Sequence, residues 1–259
     1  MAGTHSDGSA GDANYAIIGQ SYVNFRLPEP AIEKQILLAL GDAETVLNVG
    51  AGAGSYEPRD RRVTAVEPSE TMRAQRPAHL VRAVDASSEA LPFPDNTFDA
   101  SMATFTVHQW SDLVAGLLEM RRVTKGPVVI LTCDPSLVQS FWLNDFAPDV
   151  MATEARRYPT FEKIRSVLGA NLSVAPVAIP LHCCDGFSEA YYGRPEMLLD
   201  PGARKANSAW SFVSESVAFG YVRQLSEQLK SGEWDRKFGN LRSLPEYSGS
   251  LFLLSASGL

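Results

Sequence analysis

Three glycines follow a short apolar run. Residues 45–49 are apolar or β-branched except for Asn48, and Gly50, Gly52 and Gly54 follow them. Glycine has no Cβ and accepts positive φ, so a loop of this kind can bring backbone amides very close to a ligand. The pattern predicts a strand that breaks into a ligand-binding loop, and many nucleotide-binding proteins share it.

An acidic residue ends the next apolar run. Glu67 follows the predicted strand 62–66 and lies seventeen positions after Gly50. A carboxylate at this place can accept hydrogen bonds from both hydroxyls of a ribose. For Glu67 alone an exposed loop residue is the simpler interpretation, but the combination with the glycine loop favours a nucleotide site.

A histidine lies at the end of a later apolar run. Residues 98–107 predict a strand, and His108 follows it. Open α/β sheets bind their ligands at the carboxyl ends of strands, and imidazole titrates near neutrality, so His108 is the candidate general base. The alternative is a histidine that only packs against a ligand or hydrogen-bonds the backbone.

The run His182, Cys183, Cys184 and Asp185 has the residue types of a metal site. Neighbouring side chains at a strand end point in alternating directions and rarely converge on one ion, so we predict no metal site. His182 and Asp185 remain candidates for lining a substrate pocket. Trp210, in a segment rich in aromatic residues, is a third candidate, although core packing explains it equally well.

These residues need a sheet to bring them together. Strand-like runs alternate with helical patterns, which predicts an α/β fold with a doubly wound, mostly parallel sheet. Seven strands are predicted, with the last at the edge of the sheet: 45–49, 62–66, 80–83, 98–107, 128–132, 174–181 and 250–255. The chain of 259 residues predicts one domain over 14–259, with a helical insertion at 186–247 before the last strand and a disordered segment at 1–13.

Composition narrows the class of partner. The net charge of −7 argues against nucleic acid, whose binding depends on Lys and Arg, and favours a small-molecule substrate. No apolar stretch reaches the length of a membrane span, and the first residues do not resemble a signal or transit peptide. Three cysteines without a CxxC pair fit a reducing compartment, so we expect a cytoplasmic protein that is not membrane-bound.

Residues 46–134 resemble the class I S-adenosylmethionine-dependent methyltransferases, in particular their small-molecule type 11 subgroup. VLNVGAGAG resembles the first motif of that family, VTAVEPS the second, and VRAVDASSEALPFPDNTFDA the third and fourth. LLEMRRVTKGPVVIL resembles the helix and strand that usually follow. The resemblance implies a Rossmann-like fold, S-adenosylmethionine as cofactor, and transfer of a methyl group to a small molecule.

The resemblance also implies roles for individual residues. The loop of Gly50, Ala51 and Gly52 would face the methionine part of the cofactor, Glu67 and Pro68 the ribose, and Asp85 and Ala86 the adenine. Residues 106–108, which begin with Thr106, would lie near the sulfonium. Segment 14–29 looks like the N-terminal lid of the subgroup, in which Tyr15 and Tyr22 would close over the cofactor and Arg26 would reach a carboxylate. A surface helix with two packed tyrosines is the alternative for this segment.

Two departures from the family pattern leave alternatives open. Asn48 stands where the family usually has an acidic residue, and Pro58 predicts a brief or irregular first crossover. A cofactor-binding protein without transferase activity therefore remains an alternative. An NAD-dependent oxidoreductase is a second one, although the sequence lacks the Tyr-x-x-x-Lys pair of such enzymes.

Overall fold

The structure, a computed structural model, describes residues 11, 13–15 and 23–258. Eight strands occur in these residues: β1 (Thr45–Val49), β2 (Arg62–Val66), β3 (Ala100–Thr104), β4 (Val128–Cys133), β5 (Ser173–Pro176), β6 (Ile179–Pro180), β7 (Glu246–Tyr247) and β8 (Leu251–Ala256). The main sheet has six of them in the order β2-β1-β3-β4-β8-β5, and β6 pairs with β7 in a separate ribbon. The doubly wound α/β class is confirmed.

The last strand lies inside the sheet, so the prediction that it forms the edge is wrong. β1 to β4 run parallel, whereas β8 pairs antiparallel with β4 on one side and with β5 on the other. Leu251 and Leu254 are completely buried, while β5 is mostly exposed. The more apolar strand therefore takes the interior position, where both of its faces are covered.

The helices form two layers, one on each face of the sheet. Those of the described residues are α1 (Pro30–Ala39), α2 (Glu70–Ala74), α3 (Leu113–Val123), α4 (Pro135–Val138), α5 (Pro148–Arg157), α6 (Phe161–Leu168), α7 (Pro201–Lys205), α8 (Glu215–Ser231) and α9 (Glu233–Phe238). α1 and α5 belong to one apolar core, and α3 and α6 to the other. The carboxyl ends of β1, β2 and β3 open onto a common cleft.

Three predicted strands differ from the observed ones. Residues 80–83 form no strand, and only Val84 makes a single bridge to Val66. Val81 is 46% exposed, so little apolar burial favours an extended strand at this edge. Segment 174–181 is divided between β5 and β6, and segment 98–107 is shortened to β3. As Pro58 predicted, the connection between β1 and β2 contains turns and no helix.

The segment predicted as an insertion, 186–247, contains short helical turns followed by α8 and α9. α8 begins at Glu215, where Ser214 caps it, so Trp210 lies in a preceding 3-10 turn and not on the predicted helix 207–230. None of the helices in the described residues has the length and apolar character needed to cross a membrane.

Candidate functional site

A cleft opens where β1, β2 and β3 end. The space between its atoms amounts to about 730 Å³, including the part open to solvent. Fifteen residues line it: Tyr15, Gly50, Ala51, Gly52, Ala53, Ser55, Glu67, Pro68, Met72, Ser88, Thr104, Phe105, Thr106, Gln109 and Trp110. Seven of the residues predicted to bind the cofactor are among them, namely Tyr15, Gly50, Ala51, Gly52, Glu67, Pro68 and Thr106.

The glycine loop approaches the end of β3 closely. Gly50 has φ of 67°, and a Cβ at this position would lie 2.0 Å from Oγ1 of Thr106. A side chain at residue 50 would therefore collide with Thr106 and strain the backbone. Glycine keeps this part of the cleft free of side-chain atoms.

Glu67 is buried in the cleft, with 7% of its surface exposed. Its Oε2 accepts a hydrogen bond from the Gly52 amide at 2.8 Å, and its Oε1 accepts one from the Ser69 amide at 2.8 Å. Burial raises the pKa of Glu67, and the Ser69 and Gly52 amides oppose that rise. Each carboxylate oxygen can accept a further hydrogen bond, which suits a ligand hydroxyl.

A buried ion pair supports the loop from behind. The Asn48 amide donates to Glu57 at 3.0 Å, and Arg76 donates to both Glu57 oxygens at 2.8 Å. Arg76 also donates to the carbonyl of Gly52 at 3.3 Å. Glu57 thus supplies a buried carboxylate next to the neutral Asn48.

The polar groups of the cleft fit a ligand that has hydroxyl and amino groups and a flat ring. Oε1 of Gln109 is buried without a hydrogen-bond partner, so it can accept from a ligand amino group. Met72 and Trp110 offer apolar surface for a flat ring. The sequence analysis missed both Gln109 and Met72; the position of Gln109 just beyond a strand end was the signal for it.

Phe105 separates the cleft from a second chamber and has φ of 51°, a strained value for an aromatic residue. Eleven residues line this chamber: Tyr15, Arg26, Phe105, His108, Glu154, Arg157, Tyr158, Phe187, Ala206, Asn207 and Ser208. Because Tyr15 and Phe105 also line the cleft, the two spaces are adjacent. The insertion thus covers a polar space beside the end of β3.

His108 faces this second chamber. Its ring centroid lies 4.6 Å from that of Tyr158, and its Nδ1 is buried without a hydrogen-bond partner. Burial, reinforced by the charges of Arg157 and Arg26, holds the pKa of His108 well below its usual range. The imidazole is therefore neutral near pH 7.

Three of the described residues predicted to bind the cofactor, Arg26, Asp85 and Ala86, do not line the cleft. Asp85 is exposed and pairs with Arg73 at 3.0 Å. Ala86 is partly buried against the apolar core that contains α3. Because 80–83 is not a strand, this segment does not bring the Asp85 carboxylate into the cleft. Tyr22 lies outside the described residues.

Arg26 and Asp185 form a buried ion pair. Asp185 also accepts a hydrogen bond from the Tyr56 hydroxyl at 2.9 Å. The Arg26 guanidinium lies 4.8 Å from the centre of the Phe105 ring and faces the second chamber. Asp185 therefore holds Arg26 in place and does not itself line the chamber.

The other predicted substrate residues lie elsewhere. His182 is exposed, and Trp210 is buried beside Arg204, whose guanidinium lies 5.8 Å from its ring. Neither lines the second chamber, although Asn207 and Ser208, close to Trp210 in sequence, do. Across the described ranges, His, Cys, Asp and Glu side chains form no group of three that could hold a metal ion.

Comparison with known proteins gives partial sequence matches. A family model described as a methyltransferase domain matches residues 47–131. The uncharacterized methyltransferase YcgJ of Bacillus subtilis is 31% identical over 112 residues, which are 39% of this chain and 44% of that protein. The malonyl-[acyl-carrier protein] O-methyltransferase of Erwinia pyrifoliae is 39% identical over 102 residues, 36% of this chain and 38% of the enzyme. The matches thus span less than half of these curated relatives.

One solved structure is similar over nearly its whole length. It is described as a methyltransferase from an antibiotic biosynthesis pathway of Anabaena variabilis, is 28% identical, and covers 90% of this chain and 98% of its own, with a TM-score of 0.84. The likeness therefore extends beyond the motif segment to the insertion and the last strands. Residues 47–131 thus match a methyltransferase domain, and the fold around them is similar to that of the Anabaena methyltransferase over nearly the whole chain.

Proposed function

We propose that the protein transfers the methyl group of S-adenosylmethionine to a small-molecule acceptor. The observation that carries this proposal is the pair of adjacent spaces on either side of Phe105: the cleft with Glu67 and the glycine loop, and the polar chamber under the insertion. A cofactor and an acceptor need such neighbouring sites. The description of the Anabaena relative as part of antibiotic biosynthesis agrees with a small acceptor.

The cofactor would lie along the cleft. The loop of Gly50 to Gly52 and Thr106 would hold its amino-acid end, Glu67 and Pro68 its ribose, and Tyr15 would cover it. For the adenine, the cleft offers Met72 and Trp110. The assignment of Asp85 and Ala86 to the adenine stays a prediction, which their position outside the cleft does not support.

Bound S-adenosylmethionine would supply a methyl carbon made electrophilic by the positive sulfur. The protein would align an acceptor atom with it and exclude water, and Phe105 lies where the two spaces meet. We propose that His108 contacts the acceptor. Its role as general base stays a prediction. An imidazole with a low pKa is a weak base, so a neutral His108 is better suited to forming a hydrogen bond than to removing a proton.

Thermal unfolding with different cofactors tests the proposal. A ligand bound only by the folded state raises Tm, so S-adenosylhomocysteine should raise it and NADH should not. The reverse result would favour the oxidoreductase alternative. Transfer of label from methyl-tritiated S-adenosylmethionine into the small-molecule fraction of a cell extract then separates an enzyme from a binding protein, which would transfer no label.

A further inference from the structure

The second chamber contains an acidic group that the sequence analysis did not single out. Glu154, on α5, faces both this chamber and the smaller cavity behind it, which is lined by Cys133, Val138 and Ser250 among others. It lies outside the motif segment and does not line the cofactor cleft. Its surroundings indicate what the chamber binds.

The Glu154 carboxylate has few donors. Ser188 donates to its Oε2 at 3.4 Å, and Tyr158 donates to its Oε1 at 3.5 Å. Hydrogen bonds from hydroxyls to a carboxylate are normally about 2.5–2.7 Å long, so both contacts are weak. A half-buried carboxylate that receives only these two weak hydrogen bonds can accept a strong one from a ligand.

The charges around Glu154 select against a cationic ligand. Arg157 and Arg26 face the same chamber, and both act electrostatically on Glu154. Because Asp185 neutralises Arg26 and the charge of Arg157 opposes that of Glu154, neither a cationic nor an anionic ligand finds a net counter-charge in the chamber. An uncharged ligand that donates one hydrogen bond suits this balance.

Aromatic rings make up the walls. The ring centroids of Phe105 and Phe187 lie 5.2 Å apart, and those of His108 and Tyr158 lie 4.6 Å apart. All four side chains line the chamber with Glu154. Walls of this kind favour a flat, unsaturated ligand.

We propose, building on the methyltransferase function above, that the chamber binds an uncharged aromatic hydroxyl compound, a phenol or enol, whose hydroxyl donates to Glu154. In the reaction the acceptor oxygen forms the bond to the methyl carbon, the sulfur keeps the electron pair of the broken carbon–sulfur bond, and the hydroxyl proton passes to Glu154. Burial raises the pKa of Glu154, which makes it a stronger base than an ordinary carboxylate, whereas the pKa of His108 is lowered.

Calorimetric titration of the full chain, loaded with S-adenosylhomocysteine, tests this proposal with three probes that share one ring: 4-nitrophenol, 4-nitroanisole and 4-nitrobenzylamine. At a pH below the pKa of the phenol, we expect 4-nitrophenol to bind most tightly, since it alone offers an uncharged hydroxyl donor. Glu154→Gln should weaken its binding at least about tenfold, as expected for loss of a hydrogen bond to a charged group.

The control is Glu162→Gln, which changes an exposed glutamate on α6 and should leave the affinity unchanged. The proposal is wrong if 4-nitrophenol does not bind, if the amine binds more tightly, or if Glu154→Gln binds it as the wild type does. If Glu154→Gln also fails to bind S-adenosylhomocysteine, the same titrations are made with Glu154→Asp. This variant keeps the negative charge, but its shorter side chain places the charge further from the ligand. If the protein does not bind S-adenosylhomocysteine but still binds the phenol through Glu154, the proposed function is wrong and the proposal for the chamber remains supported.

Discussion

At the scale of single residues, the carboxylates of this protein differ in what their oxygens contact. Glu57 is bonded by Arg76 and Asn48, so its oxygens are occupied by the protein. Glu67 accepts one amide hydrogen bond on each oxygen and faces the cleft, so it retains capacity for a ligand. The hydrogen bonds, more than burial, distinguish a supporting carboxylate from a binding one.

Glu67→Gln should weaken binding of S-adenosylhomocysteine at least about tenfold, because hydrogen bonds to a charged group contribute about 1.5–3 kcal/mol each. The amide keeps the size of the side chain but cannot accept hydrogen bonds on both of its terminal atoms. Isothermal titration calorimetry measures the effect. Glu70→Gln, an exposed glutamate three residues away, is the matched control, and equal affinities for the two variants would contradict the role proposed for Glu67.

The contact between Asn48 and Glu57 allows a test in which the negative charge is moved from one residue to the other. Asn48→Asp would place a second carboxylate beside buried Glu57, which should cost about 2 kcal/mol or more of unfolding free energy. Glu57→Gln would leave Arg76 buried without its counter-charge, at about 3–5 kcal/mol. The double variant restores one negative charge and should be more stable than either single variant in urea unfolding. If the double variant instead loses the sum of the two single losses in unfolding free energy, the stability depends on where the negative charge lies and not on how many negative charges there are.

The sequence predicted those site residues that adjoin a strand end. Gly50 and Glu67 follow β1 and β2 directly, so a local pattern located them. Glu57 and Glu154 could not be found in this way, because their meaning depends on Arg76, nineteen positions further on, and on rings from several separate elements. The prediction for Asp85 depended on a strand at 80–83. That strand does not form, because too little apolar surface is buried there.

At the scale of elements, the insertion is attached to the start of β8. Glu189, in the 3-10 turn Ser188–Tyr191, accepts hydrogen bonds from the Ser250 amide at 2.9 and 3.0 Å. Ser250 directly precedes β8, and a Cβ on Gly249 would lie 2.6 Å from the Glu189 oxygens. The alternation of strands and helices predicted most elements, but it could not predict this contact across sixty-one positions, nor the interior place of β8 that goes with it.

Glu189 predicts a pH dependence of stability. Burial, reinforced by the charge of Glu154, raises the pKa of Glu189 to about 7. An acid whose pKa is higher in the folded state binds its proton more tightly there, so stability falls as pH rises from about 4.5 to about 7. This loss amounts to at most about 3 kcal/mol.

Urea unfolding of the wild type and of Glu189→Gln, at pH 5 and pH 8, measures this loss. The variant cannot lose a proton at this position but retains an oxygen for the Ser250 amide, so it should gain stability relative to the wild type as pH rises. Titrating groups that do not interact with Glu189 behave alike in both proteins and cancel in the comparison. Parallel pH profiles would contradict the assignment.

At the scale of the whole molecule, Asp185 joins three distant parts of the chain. It pairs with Arg26, which precedes α1, and with Tyr56, which lies between β1 and β2, while Asp185 itself follows β6. The backbone continues this link, since the Gly186 amide donates to the carbonyl of Phe25 at 2.7 Å. The link fixes the segment before α1 against the insertion and places Arg26 over Phe105, where the cleft and the chamber meet.

A double-mutant cycle on Arg26 and Asp185 tests this link. Arg26→Met removes the buried counter-charge of Asp185, and Asp185→Asn removes that of Arg26, so each should lower the free energy of unfolding by about 3–5 kcal/mol. The double variant leaves neither charge, so it should lose less than the sum, with a coupling of about 0.5–3 kcal/mol in urea unfolding. The exposed pair of Arg62 and Glu44 is the control; Glu44→Gln should cost less than about 1 kcal/mol. If the losses at Arg26 and Asp185 simply add, the two charges do not stabilise each other, and the segment before α1 must be held by its other contacts.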